Sequence, residues 1–168
     1  YIAEGNIERF ADALAIQLGL AGIDARELLD AQRAVECLTA ELAAEQATAA
    51  DLARLRAMLA EGAALIGDVG GFTRASLAFH LAVAEAAHNR VLAAQLHSLQ
   101  HVSWPSRNRT LTRPVAKHIL AVHGELVDLI EARDAAAARR LMDDHVKMIR
   151  ARRLAERKGR DPGEAACC

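Results

Sequence analysis

The sequence predicts an all-α protein, a single antiparallel bundle of about seven helices, and three observations carry that reading. Apolar residues recur at helical spacing through most of the chain, and no segment makes a convincing strand. Hydrophobic residues make up 52% of the chain but aromatics only 3%, so Ala, Leu, Val and Ile must build the core, which suits close helix packing. Glycines are few and prolines number three, and 168 residues fit one domain able to bury a sizeable core.

Taken in order, residues 1–5 (YIAEG) form an extended lead-in. Asn6 is placed to cap a helix through Leu18, with Ile7, Phe10, Ala11 and Leu14 on one face. Asp24 with Glu27 makes a capping box for a second helix carrying Leu28, Leu29, Val35, Leu38 and Leu42. Thr48 with Asp51 repeats the device and opens a helix to about Ala60 or slightly beyond. Gly67, Gly70 and Gly71 then interrupt the pattern.

The chain is organised around residues 72–92, FTRASLAFHLAVAEAAHNRVL. At helical spacing Phe72, Ser76, Phe79, His80, Val83 and Ala87 share one stripe. Asn89 caps the next helix, which carries Val91, Leu92, Leu96 and Leu99 and stops at Pro105. Residues 106–113 are polar and basic and read as a solvated loop. Pro114, a favoured first helical residue, opens a helix to about Ala132. Asp134 caps the last long helix, which reaches roughly Glu156, and residues 158–168 read as a frayed, disordered tail.

Composition excludes several classes. The formal net charge is −1, with no basic stripe to track phosphates. The cluster of Arg150, Arg152, Arg153 and Arg157 fits a helix C-terminal dipole and needs no ligand. Cys37, Cys167 and Cys168 match neither a zinc ribbon nor a disulfide framework, which points to a reducing cytoplasm. No apolar run is long enough to span a membrane, and no P-loop, GxGxxG or GxSxG occurs.

The histidines carry the chemical signal. His80 sits mid-stripe in its helix; His123 lies among Ile119, Val122, Leu126 and Ile130; His145 lies among Ala138, Leu141, Met142, Met148 and Ile149. Three helices thus each place one imidazole on the apolar face. Imidazole is a common ligand of zinc and related ions, and a bundle can aim several at one interior spot. Three separately hydrogen-bonded core histidines remain the other reading. His97 and His101, one turn apart, lie on a half-exposed face with Gln100 and Trp104 and read as a solvated pair; His88 and His118 read as surface residues.

SLAFHLAVAEAAHNRVL and HGELVDLIEARDAAAARRLMDDH, with the earlier LLDAQRAVECLTAELAAEQATAADLARL, resemble the FCD effector domain of FadR-like GntR transcription regulators over roughly residues 7–152. YIAEGN looks like the last strand of the wing that precedes this domain, which implies a winged-helix DNA-binding domain upstream of Tyr1. The resemblance implies an effector domain at residues 6–157 and a homodimer. It also implies a divalent ion, zinc or nickel, held by His80, His123 and His145. The family places an Asp four residues before the first His, where this chain has Ser76, a poorer ligand. The family's Glu-x-Arg reads Asp30-Ala31-Gln32, so the carboxylate-clamping Arg is the neutral Gln32, and Arg33 points about a quarter turn away. Ser76, Gln32 and Asn89 are the effector-contact positions that carry over.

The expected function is therefore an effector-binding and dimerisation domain that senses a small organic acid beside a three-His centre, without catalysis. The rivals are a metal-dependent helical enzyme on the same histidines and an assembly bundle with no ligand.

Overall fold

The computed structural model describes residues 25–103 and 111–158, together with Arg9, Ala13, Leu14, Ile16 and Gln17, which are helical; the side chains of residues 25, 101–103 and 153–158 are excepted. From residue 25 on, the described residues form six helices in order: α1 (Ala25–Gln46), α2 (Ala49–Ala64), α3 (Val69–Ala86), α4 (Arg90–Ser103), α5 (Arg113–Glu131) and α6 (Ala135–Lys158). No strand occurs among the described residues. Asn6, Asp24, Trp104, residues 106–110 and the tail beyond Lys158 lie outside them.

Local chemistry sets the helix starts. At α2 the Thr48 hydroxyl accepts from the Asp51 amide at 3.2 Å, and the Asp51 carboxylate accepts from the Thr48 amide at 2.8 Å, a complete capping box. Asn89 Oδ1 accepts from the amides of Val91 and Leu92, both at 3.2 Å, and opens α4. Asp134 Oδ1 accepts from the Ala137 amide at 2.9 Å and opens α6. Thr112 is the N-cap of α5, with Pro114 in its first turn.

The glycines are a correction. α3 begins at Val69, so Gly70 and Gly71 lie in its first turn and do not interrupt it. A Cβ at Gly71 would meet the Asp68 carboxylate and crowd Leu65, so a larger residue there would have to push the Asp68 side chain aside.

α1 packs against α3, α4, α5 and α6, with α6 its most extensive neighbour, while α2 packs against α3 and α5. Ala40, Ala43 and Ala44 on α1 are fully buried and share a core with Ala138 and Met142 of α6 and with Phe79, Val83, Leu126 and Ile130. Side chains this small let helix axes approach closely. Ala43→Leu is therefore expected to lower unfolding stability by about 1–3 kcal/mol through overpacking. An unchanged urea midpoint would show that Ala43 has room to spare.

The α1 face departs from expectation. Leu29 and Val35 are buried as expected, but Leu38 is 36% exposed, and the buried stripe also takes in Gln32, Glu36, Thr39, Ala40 and Ala43. Arg133, at φ 61, closes the turn between α5 and α6 and donates to the carbonyls of Ala44 (3.2 Å) and Ala47 (2.7 Å) at the end of α1. Burial, then Asp143, pushes the Cys37 thiol up to about 12, so it packs as a small apolar group. No described helix is long and apolar enough to cross a membrane.

Candidate metal centre and ligand cavity

α3, α5 and α6 deliver His80, His123 and His145 to one point between them, at 8%, 3% and 4% exposure. The three Nε2 atoms form a near-equilateral triangle: His80 to His123 is 3.2 Å, and His145 lies 3.3 Å from each of the others. A tetrahedral ion with bonds of about 2.0–2.1 Å holds its donors roughly 3.3–3.4 Å apart, so the triangle fits three ligands of one such ion. Three acceptor nitrogens facing one another are better satisfied by a shared cation than by a proton or two.

The surroundings keep His123 and His145 neutral and hold the rings in place. Burial, then repulsion from its two neighbours, holds the His123 pKa far below the ordinary imidazole value. Burial and His80 pull His145 down to about 3, against a smaller upward pull from Glu36. Phe79, one residue before His80, stacks on the His123 ring with centroids 4.3 Å apart and planes 11° from parallel. That contact fixes the plane of the His123 ring.

Glu36, which nothing in the sequence singled out, completes the centre. Its side chain is buried on α1, and Oε2 lies 3.1 Å from His80 Nδ1. A carboxylate at that distance favours the tautomer with the ring proton on Nδ1, which leaves the Nε2 lone pair for a cation, although the two groups do not align as a hydrogen bond. Gln32 Nε2 donates to the other oxygen, Glu36 Oε1, at 2.6 Å. Burial raises the Glu36 pKa, but His80, Gln32 and His145 together outweigh it and hold the group below the ordinary carboxylate value. The anion therefore stands behind a ligand, whereas the family's pattern has its carboxylate at the position that Ser76 occupies here. Among the described residues, the cluster of converging donor atoms consists of the three imidazoles.

A cavity of about 60 Å³ opens beside the centre. Its polar wall includes Gln32, Glu36, Thr73, Ser76, His80, His145 and Arg150. At roughly 10–15 Å³ per water-sized sphere, it has room for a molecule of about four to six heavy atoms. Ser76 and Gln32 thus stand where an effector position would be. Asn89 does not: it is exposed, and its side chain is used in the α4 cap. Arg33 pairs with Asp143 on the other side of α1 and is absent from the cavity wall.

Other expectations are sorted by the same packing. His88 is exposed, and its Nε2 lies 2.9 Å from Asp51. His118 is exposed. Gln100, expected on a half-exposed face, is buried, and its Nε2 donates to the Leu77 carbonyl at 3.3 Å. His97 is half-buried, and the side chain of His101 lies outside the described residues.

Comparison with known proteins agrees with this architecture. The FCD domain family matches residues 27–148, and the chain belongs to that family. The chain is 34% identical over 103 residues to the HTH-type transcriptional regulator LutR of Bacillus subtilis (strain 168), covering 61% of this chain and 46% of that protein. It is 35% identical over 128 residues to the Escherichia coli (strain K12) protein named "Putative L-lactate dehydrogenase operon regulatory protein", covering 73% and 49%. It is 31% identical over 140 residues to the Uxu operon transcriptional regulator of the same strain, covering 76% and 53%. The chain spans about half the length of these relatives. All three are named as regulators.

Proposed function

We propose that the chain is the effector-binding and dimerisation domain of a bacterial GntR-family transcription regulator, and that it senses a small organic acid. One observation carries this reading: in a chain of the FCD family, three buried Nε2 atoms at mutual ligand spacing stand beside a cavity sized for a small metabolite. His80, His123 and His145 would hold a divalent ion, zinc or nickel. When bound, that ion would supply positive charge and Lewis acidity next to the cavity. Glu36 orients His80, and Phe79 orients His123. Arg150 and Gln32 line the side where an acid would enter.

The walls come from α1, α3, α5 and α6, so an occupant that bridges them changes the packing of α6 on α1, the largest contact in the bundle. Such a change is how a bound acid would alter the spacing of two DNA-binding domains. DNA contact belongs to a separate winged-helix domain of the regulator, because the formal charge of this chain is −1 and it offers no basic stripe.

Sedimentation of the chain is expected to give a dimer, and gel shift is expected to give no sequence-dependent DNA complex. Fused behind a winged-helix domain, the chain should confer operator binding that a small carboxylate changes by roughly 5–150-fold. Tight, sequence-dependent DNA binding by residues 1–168 alone would overturn this division of labour.

A further inference from the structure

The contact between α1 and α6 is the largest in the bundle, and small side chains fill its interior. Ala40, Ala43 and Ala44 share that interior with Ala138, Met142 and Val146. Helix faces this smooth have shallow ridges and grooves, so packing alone sets the sliding position of α6 along α1 only weakly. Arg133 ties the turn before α6 to the carbonyls of Ala44 and Ala47. Beyond that anchor, α6 has to be placed by its own side chains.

One edge of this seam carries charges of alternating sign. On α1 they are Asp30, Arg33 and Glu41, and they pair with Arg150, Asp143 and Arg139 of α6. Asp30 and Glu41 are eleven positions apart on α1, and Arg139 and Arg150 are eleven apart on α6, so both outer pairs close in one register. Each pair stands partly in water and is weak by itself. The order of the signs is what discriminates. Sliding α6 by one turn, about four residues, toward the start of α1 keeps Arg33 with Asp143 but sets Arg150 beside Arg26. Sliding it the other way sets Asp143 beside Glu41, parts Asp30 from Arg150 and Arg33 from Asp143, and offers Arg139 one replacement in Glu45. Either shift exchanges three opposite-charge pairs for one and adds a like-charge contact.

We infer that these three ion pairs are a charge code that fixes the register of α6 on α1. α6 carries His145 on its buried side, so the code also fixes where that imidazole stands along the bundle. The inference needs neither a bound ion nor a bound acid.

Cys37 reports the register. Its thiol is 5% exposed, and Sγ lies 3.7 Å from Asp143 Oδ1. In the second shifted register it faces Lys147, whose cation favours the reactive thiolate. The measurement is the rate of thiol modification in the full chain carrying Cys167→Ser and Cys168→Ser, with the urea midpoint of each protein beside it. Glu41→Arg repels Arg139 in the observed register and attracts Asp143 in the shifted one. Arg139→Glu repels Glu41 in the observed register and Glu45 in the shifted one. Both reversals should lower the urea midpoint, but Glu41→Arg should speed modification at least roughly tenfold more than Arg139→Glu. The double reversal, Glu41→Arg with Arg139→Glu, should return the rate to within about twofold of the parent. Glu41→Gln and Arg139→Gln should give the same order with a smaller difference, which covers a reversal that does not fold. Equal rates in the two members of either set, or a double reversal no slower than Glu41→Arg, would show that the pairs only add stability and would overturn the code.

Discussion

Zinc or nickel added to the chelator-treated chain is expected to raise its melting temperature, and His123→Ala is expected to remove that rise. At about a hundred times its dissociation constant, a ligand stabilises the folded state by about 2.7 kcal/mol, or roughly 5–10 °C for a chain of this size. His123 is the decisive position because its Nε2 lies within 3.3 Å of both other donors and its ring is held by Phe79. Truncation also leaves a cavity in the core, so the quantity to compare is the metal-induced increment in each protein and not the melting temperature itself. If a variant with all three histidines replaced by alanine shows the parent's increment, the ion binds elsewhere.

Glu36→Gln is expected to weaken metal binding about 10–100-fold while the bundle stays folded. The carboxylate favours the proton of His80 on Nδ1 and raises the basicity of Nε2, and a neutral amide does neither well. The substitution keeps size and hydrogen-bonding capacity next to Gln32, which limits the structural loss to one charge. Competition with a chromophoric chelator gives the affinity, and Glu36→Asp shows whether charge without reach suffices. An affinity within twofold of the parent in Glu36→Gln would mean that the contact with His80 is structural only.

The position of this carboxylate bears on the departure at Ser76. A direct anionic ligand at position 76 would neutralise part of the charge of an ion at the centre. Ser76 brings no charge, and Glu36 brings one at a distance, through the imidazole. A centre of three neutral nitrogens with an anion behind one of them keeps more net positive charge toward the cavity, which favours an anionic occupant.

Sequence alone determined the helices, most of their starts and the three imidazoles on apolar stripes. Those features are local: Thr48 and Asp51 cap α2 through residues three apart, and His80 is placed by neighbours at three- and four-residue spacing. Packing decided the rest. Periodicity says which face of a helix is buried but not which atoms of other helices that face will meet, so the convergence of three Nε2 atoms had to come from the crossing of α3, α5 and α6. Glu36 was missed because the buried stripe of α1 is marked by alanines, whose weak hydrophobic contrast let Leu38 and Leu42 define the face instead. The signal available was its place four residues after Gln32 and four before Ala40. Arg150 was assigned to a helix dipole because its partner Asp30 lies 120 residues away, and no local pattern records a contact at that separation. The sequence thus determined which side chains the interior would hold, and the tertiary structure decided which of them share a cavity, because only helix packing turns a buried face into a site.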